Sequence, residues 1–392
     1  MIVAEIAVSS LEAIAPFHDA LTALRRDLHA HPELGLEVPR TAARVAEQLA
    51  AWGVEVATGV GGHGVVGTIR GAAGGPTVGL RADMDALPIE EVADVPWRST
   101  VAGRMHACGH DGHTAMLLGA ARHLAETRRF AGTARVIFQP GEEGAGGALA
   151  MLADGLFERF PCDAVYGLHN RPGAALGSFS IRPGAFMAGG AFFDIRVAGV
   201  GAHGGRPETG VDPVVAAAQI VTAAQTIVAR NLSPHEPAVL SITRIAGGAS
   251  YNVIPSEATL SGTARAMSAD TLAQLERLLR RTAEGIAAGL GATAELDFRV
   301  LFNPLRNDPT HAASMADAAA SLVGEAAVER DEPPVMVSED FSFMLEQVPG
   351  AYIQMGIGEA ASLHNPAYAF NDAAIPYGAA FLARLVERGL PG

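Results

Sequence analysis

Cysteine, positive charge and aromatic residues are scarce in this sequence. Only 2 cysteines occur in 392 residues, which is too few for a disulfide framework and is typical of a reducing compartment, so we expect a cytoplasmic protein. The 28 lysines and arginines are outnumbered by 42 aspartates and glutamates. The resulting net charge of −14 argues against nucleic acid and anionic membranes as partners.

Long apolar runs are missing as well. The N-terminal residues lack a basic region, and Glu5 and Glu12 interrupt their apolar positions, so they do not resemble a secretory signal. The longest uncharged run, Pro213–Ala229, carries polar residues such as Gln219 and Thr222 at helical spacing. This pattern predicts an amphipathic helix rather than a membrane span.

The order of the remaining patterns indicates a two-domain α/β protein. A chain of 392 residues exceeds the usual limit of one hydrophobic core. Its outer parts alternate strand and helix patterns, which predicts a mostly parallel, helix-covered sheet. The predicted strands of these parts are Gly64–Arg70, Thr77–Arg81, Ala134–Phe138, Ala164–Leu168 and Ala351–Met355, and the predicted helices are Phe17–Ala30, Thr41–Trp52 and Thr114–Thr127.

The middle of the chain follows another order. It reads strand, helix, strand, strand, helix, strand, which is the order of the ferredoxin-like arrangement. We therefore expect an inserted α+β domain at residues 186–300, with residues 1–185 and 301–392 forming the larger domain. The predicted elements of the insert are Phe192–Val200, Pro213–Arg230, Val239–Ala246, Glu257–Arg265, Ala269–Gly289 and Ala294–Val300.

The segment Met105–Thr114, MHACGHDGHT, concentrates side chains that bind metals. Cys108 and His110 are separated by one residue, and His106 and His113 flank them. Thiolate and imidazole suit zinc and its divalent neighbours. The alternative, a His-rich surface turn with a buried structural cysteine, is less favoured at this density of ligand types.

Further acidic residues and histidines follow the predicted strands. They lie just past a strand end or in a loop beyond one, at Asp83, Asp85, Glu142, Glu143, His169 and His364. In an open α/β sheet the carboxyl edge of the strands binds ligands. With the cysteine segment, this gives a candidate ligand set large enough for two metal ions: Cys108, His110, Glu143, His169 and His364.

The adjacent acids Glu142 and Glu143 are expected to have two different roles. Neighbouring side chains in a turn face opposite sides, so one carboxylate can bind metal while the other acts as a general base. A solvated acidic loop is the alternative. Asp83 and Asp85 fit either helix caps or carboxylates that orient ligand histidines. In the insert, His203 between glycines and Arg265 at a strand end are weak signals alone, although an arginine could bind a substrate carboxylate.

Eight motifs together resemble the dinuclear-metal N-acyl-amino-acid amidohydrolases, the family of hippurate hydrolases, bacterial aminoacylase/carboxypeptidases and plant auxin-conjugate hydrolases. The resemblance covers nearly the whole chain. In order, the motifs are RADMDALP, MHACGHDGHTAMLLGAA, GEEGAGG, GLHN, GAHGGRPE, NVIP, SEDF and LHNP.

The resemblance implies the hydrolysis of N-acyl-L-amino acids with two divalent ions, zinc or manganese, or else nickel or cobalt. It implies that Glu142 is the base, assisted by Asp85 and His203, and that Asn252, Arg265 and His203 bind substrate. The five residues of the candidate set would be the metal ligands. In related dinuclear peptidases, a ligand histidine stands at the position of Asp83.

The resemblance also implies a homodimer, or a homotetramer, that assembles through the inserted lid domain. Two other functions remain open from the sequence: a dipeptidase or metallocarboxypeptidase on the same scaffold, and a catalytically silent binding protein.

Overall fold

The computed structural model describes Leu11–Leu390. The chain forms two compact units, of which the second comprises Ala185–Leu305 and Pro334–Glu339, and the rest of the described chain forms the first. The helices are α1 His18–Ala30, α2 Pro39–Ala51, α3 His110–Thr127, α4 Gly147–Ala153, α5 Leu156–Arg159, α6 Pro213–Asn231, α7 Ala269–Gly289, α8 Pro309–Val323, α9 Ser342–Leu345 and α10 Ile375–Arg388.

Strands make up most of the remaining regular structure. They are β1 Glu55–Val60, β2 Gly64–Arg70, β3 Ala73–Asp83, β4 Ala131–Gln139, β5 Ala164–Arg171, β6 Phe179–Ser180, β7 Gly184–Met187, β8 Gly189–Ala198, β9 Ala202–His203, β10 Ala238–Gly247, β11 Val253–Ile254, β12 Glu257–Ala266, β13 Thr293–Phe302, β14 Leu305–Asn307, β15 Val328–Glu329 and β16 Gly350–Gly356.

An eight-stranded sheet in the order β1-β2-β4-β3-β5-β16-β6-β15 forms the centre of the first unit. Its four middle strands, β4, β3, β5 and β16, are parallel to one another. Their inner residues are almost all buried, because helices such as α3 cover the sheet. The predicted helix-covered, mostly parallel sheet is therefore confirmed, and an antiparallel hairpin of β1 and β2 forms one edge.

The parallel strands bring the predicted site residues to one edge of this sheet. Asp83 is the last residue of β3, and Glu142 and Glu143 follow the end of β4. His169 differs from the expectation, because it lies inside β5 rather than beyond it. The strand continues to Arg171 because its pairing with β16 runs on through His169, Asn170 and Arg171.

The second unit contains a four-stranded antiparallel sheet in the order β10-β12-β8-β13. Its helices α6 and α7 pack with the buried residues of this sheet in one apolar core. This strand order and the βαββαβ sequence of elements are those of the ferredoxin-like arrangement that the sequence predicted.

Helix α6 is long and apolar enough to cross a membrane by length and composition alone. One of its faces, which includes Ala216, Ile220 and Ile227, is buried in the core of the second unit. Thr222 and Gln225 are exposed and bond to carbonyls of their own helix. We therefore interpret α6 as an amphipathic core helix, as the sequence indicated.

This interpretation predicts unequal effects of two truncations on α6. Ile220 is fully buried, whereas Val215 is 50% exposed. We expect Ile220→Ala to lower the free energy of unfolding by about 2–4 kcal/mol, because it leaves a cavity in the core. Val215→Ala should change it by less than about 0.5 kcal/mol. Urea unfolding of both variants measures this, and equal losses would contradict the packing of α6.

Candidate metal centre

The turn before α3 is shaped by a glycine that no other residue could replace without strain. Gly109 has φ +88°, in the left-handed region, and it precedes the first residue of α3, His110. A Cβ atom at Gly109 would lie 2.4 Å from Oδ1 of Asn170 and 2.7 Å from the Tyr368 hydroxyl. The turn thus packs tightly, which places Cys108 and His110 at the sheet edge.

The first group of ligand atoms comes from Cys108, His110 and His169, and these atoms lie within 4.8 Å of one another. The Nδ1 atom of His110 donates to the backbone carbonyl of Asp85 at 2.8 Å, and Nδ1 of His169 donates to that of Asn170 at 2.8 Å. A carbonyl only accepts, so both rings carry their proton on Nδ1 and leave Nε2 for a metal. Nε2 of His169 lies 3.4 Å from the Cys108 sulfur.

The second group comes from Cys108, Glu143 and His364, whose ligand atoms also lie within 4.8 Å of one another. Nε2 of His364 is 3.3 Å from Oε1 of Glu143. His364 has φ +62°, which is uncommon for a residue other than glycine, and its N–H donates to the Ala107 carbonyl at 2.9 Å. Cys108 is the residue common to both groups.

Two buried atoms of these groups indicate that the site fits divalent cations. Nε2 of His110 and Oε1 of Glu143 are buried and make no hydrogen bond. Asp83 is engaged elsewhere, because its carboxylate binds Arg81 at 2.8 Å and His113 at 2.6 Å. A thiolate, imidazoles and a carboxylate together form a donor set that suits zinc and related metals.

Burial and neighbouring charges shift the pKa values of the candidate ligands in different directions. Burial, with the Glu143 carboxylate nearby, raises the pKa of the Cys108 thiol well above its usual value. A cation would offset this effect by stabilising the thiolate. Burial and the neighbouring His113 lower the pKa of His169 well below its usual value. His169 is therefore neutral, which is the form that binds metals.

Glu142 and Glu143 are held by Asp85, which is fully buried. The Asp85 carboxylate accepts the backbone N–H of Glu142 at 2.9 Å and that of Glu143 at 3.1 Å. Carboxylate oxygens of both glutamates lie within 4.8 Å of a ring nitrogen of His110. Asp85 thus holds the backbone of the acidic loop, and its expected catalytic role stays a prediction.

The remaining predicted residues belong to the second unit. His203 is exposed and pairs with Val253 between the short strands β9 and β11, and Asn252 directly precedes β11. His203 and Asn252 therefore lie at one small two-stranded sheet, although they are far apart along the chain. Arg265 is half-buried on β12, with its guanidinium 5.8 Å from the centre of the Phe192 ring.

A buried ionic network below the site was missed by the sequence analysis. The Asp111 carboxylate binds His29 at 2.9 Å and Arg25 at 3.2 Å, and the other ring nitrogen of His29 is 3.1 Å from Glu91. Burial alone would lower the pKa of His29, but Asp111 and Glu91 raise it to about 9. The sequence analysis placed His29 only near the end of the predicted helix Phe17–Ala30, because its partners are far apart along the chain.

His113 also has a role that its position beside the ligands did not reveal. Its Nδ1 atom donates to Asp83 at 2.6 Å, and its Nε2 atom lies 2.6 Å from Oδ1 of Asn170. Asn170 in turn donates to the Tyr368 hydroxyl at 2.9 Å. Since the Asn170 carbonyl orients His169, these contacts fix a ligand ring.

The two cysteines, Cys108 and Cys162, are free thiols and form no disulfide with each other.

Comparison with known proteins decides the family. A model of peptidase family M20/M25/M40 matches residues 79–388. The chain belongs to this family. An N-acetylcysteine deacetylase of Bacillus subtilis is 38% identical over 371 residues, which cover 94% of this chain and 96% of the relative. Hippurate hydrolase of Campylobacter jejuni is 39% identical over 367 residues, with 94% and 96% covered.

A solved structure of a metal-binding member of this family is also similar to the chain. A dinuclear metal-binding M20 peptidase from Bacillus subtilis matches with a TM-score of 0.82 and 35% identity, covering 95% of this chain and 98% of that one. The resemblance drawn from the motifs is confirmed, and the protein is a hydrolase of amide bonds. The two ligand groups and this neighbour support two metal ions.

Because Cys108 belongs to both ligand groups, the grouping predicts the metal content of three variants. His169→Ala removes a ligand of the first group only, and His364→Ala removes one of the second group only. We expect each to retain about one ion per chain, because a site with three protein ligands depends on each of them. Cys108→Ala should weaken both ions. Elemental analysis after dialysis measures this, and full loading of all three variants would contradict the grouping.

The raised pKa of His29 predicts a pH dependence of stability. A pKa raised from 6.5 to about 9 contributes stability that is complete below pH 6.5 and is lost as the pH rises through 9. We therefore expect His29→Gln to cost on the order of 2 kcal/mol more at pH 6 than at pH 9.5. Chemical unfolding at both pH values measures this difference. A matched substitution of the exposed His235, His235→Gln, should show none, and an equal cost of His29→Gln at both pH values would contradict the pairing with Asp111.

Proposed function

We propose that this protein hydrolyses the amide bond of N-acyl-L-amino acids and releases a carboxylic acid and a free amino acid. The observation that carries the proposal is the convergence of Cys108, His110, Glu143, His169 and His364 in two overlapping groups, with Glu142 beside them. The names of the two relatives, an N-acetylcysteine deacetylase and a hippurate hydrolase, support an acyl amino acid as the substrate.

Proton transfer is assigned to Glu142. When bound, two divalent ions polarise a carbonyl and make water a better nucleophile near neutral pH. The Glu142 carboxylate accepts the proton of the attacking water and then delivers it to the amide nitrogen, so that the amine leaves. Glu142 is only 6% exposed, which limits competition from solvent, and Asp85 holds its backbone N–H.

Substrate binding is assigned to three residues of the second unit. His203 and Asn252 lie at the same two-stranded sheet, and we assign them to hold the substrate and the negative charge that develops on its amide oxygen. Arg265 is assigned to the carboxylate of the amino-acid half, since a guanidinium binds a carboxylate with two parallel hydrogen bonds.

The finer features of the proposal are the metal, the assembly and the location. Thiolate and imidazole ligands favour zinc, and the carboxylate ligand also accommodates manganese, with nickel and cobalt as further candidates. We propose a homodimer, or a homotetramer, that assembles through the second unit, and a cytoplasmic location. A free thiol among the ligands is consistent with a reducing compartment.

A substrate panel tests the reaction. The metal-loaded protein should hydrolyse N-benzoylglycine, N-acetylmethionine or N-acetylcysteine, with release of the free amino acid measured by mass spectrometry. If simple dipeptides are cleaved faster than these acyl amino acids, the protein is a dipeptidase and the proposal is wrong. Metal-loaded protein without activity on either class would indicate a silent binding protein instead.

Substitution of Glu142 tests the mechanism. We expect Glu142→Gln to keep the fold and both metal ions but to lower kcat by about 10²–10⁴-fold, because the amide cannot accept the proton of water. Steady-state kinetics and elemental analysis measure the two quantities. Glu126→Gln, on the solvent-exposed side of α3, is the matched control and should retain parent activity. Parent activity of Glu142→Gln would refute the assigned base.

A further inference from the structure

Asp340 is a buried carboxylate that the proposed function leaves without a role. It belongs to the SEDF motif and is completely buried. It is also the residue at which the chain re-enters the first unit after Pro334–Glu339. A fully buried charge is costly unless it is paired and hydrogen-bonded, so its partners indicate what it does.

The two oxygens of Asp340 bind different parts of the first unit. Oδ1 accepts a hydrogen bond from Nη2 of Arg81 at 3.1 Å and another from Nε2 of Gln139 at 2.7 Å. Oδ2 accepts the backbone N–H of Ala148 at 2.9 Å. Arg81 closes the network, because its Nε atom also donates to Gln139 at 2.9 Å.

These partners bracket the acidic loop. Gln139 is the last residue of β4, and Ala148 lies in the first turn of α4. The intervening residues carry Glu142 and Glu143. A single carboxylate therefore ties down both ends of the loop that supplies the proposed base and a metal ligand.

The loop between β4 and α4 needs these hydrogen bonds because its glycines allow the backbone many conformations. Gly141, Gly144 and Gly146 have φ of 67°, 79° and 72°, so three of its positions sit in the left-handed region that glycine enters freely. Asp85 binds the middle of the loop through the N–H groups of Glu142 and Glu143, and Asp340 binds its ends. Together they leave the glutamates little freedom to move away from the ligand groups.

We propose that Asp340 is a positioning residue for amide hydrolysis, which holds the Glu142 loop through Arg81, Gln139 and the N-terminus of α4. This inference rests on the proposed role of Glu142 as the base. It assigns no contact between Asp340 and the substrate. Its function is to keep the Glu142 carboxylate where the proton must be taken up.

The test is Asp340→Asn in the full-length, metal-loaded protein. The amide keeps one oxygen but loses the second acceptor, so the ties to the two ends of the loop cannot both persist. We expect kcat to fall by about 10–100-fold, with KM within about twofold and metal content equal to that of the parent. Asp308→Asn is the matched control, because Asp308 also caps a helix, α8, through the N–H groups of Thr310 and His311, and it should leave kcat unchanged.

A double-mutant cycle separates positioning from a general structural role. If Asp340 acts through Glu142, Asp340→Asn should change the residual rate of Glu142→Gln by less than about twofold. The same loss in both backgrounds would overturn the inference, as would a fall in metal content or an unchanged kcat. If Asp340→Asn does not fold, Gln139→Met, which removes one donor to Asp340, should lower kcat with KM unchanged, and parent kinetics of this variant would overturn the inference.

The cycle also distinguishes failure of the inference from failure of the proposed function. Parent activity of Glu142→Gln refutes the base itself. An inactive Glu142→Gln combined with a fully active Asp340→Asn refutes only the positioning role of Asp340.

Discussion

Two polar atoms at the carboxyl edge of the first sheet, Nε2 of His110 and Oε1 of Glu143, are buried without a hydrogen bond. A buried polar atom without any partner costs about 1–3 kcal/mol. Oε1 of Glu143 does have an ion-pair contact with Nε2 of His364, at 3.3 Å. Here the surrounding structure holds both atoms towards the Cys108 sulfur and the other ligand atoms. We propose that cations bind these atoms, which would explain why the fold retains them. The family to which the chain belongs supports the same explanation.

Much of the buried charge in the first unit maintains this arrangement. Arg81 lies between Asp83 and Asp340, and His29 lies between Asp111 and Glu91. None of these bonds needs to add net stability, since buried ion pairs often do not. Asp111 follows the candidate ligand His110 in sequence, and Asp340 binds both ends of the segment that carries Glu143. We infer that their contribution is the precision of the site rather than the stability of the fold.

The sequence predicted the parts of this structure that depend on local patterns. β2 was predicted with its observed bounds, and Asp83, Glu142 and Glu143 were expected at the sheet edge because parallel strands share their carboxyl ends. The beginning of α3 was placed at Thr114, four residues late, because Gly109 and Gly112 suggest a turn. Burial of the helix against the sheet outweighs the low helix propensity of Gly112.

Contacts between distant segments were beyond such reasoning. Asp340 and Arg81 are 259 residues apart, and no periodicity relates them. The same holds for His29 and Asp111, which are 82 residues apart. His113 was noticed for its composition, but its bond to Asp83 depends on the register of α3 against β3. The candidate ligands could be named from their types and positions, whereas the residues that orient them required the structure.

Anomalous diffraction from crystals grown with zinc would test the central claim most directly. Two peaks are expected, one at ligand distance from His110 and His169 and the other at ligand distance from Glu143 and His364. Both should lie near the Cys108 sulfur and about 3.5–4 Å from each other. A single peak, or peaks outside these two groups of residues, would contradict the account.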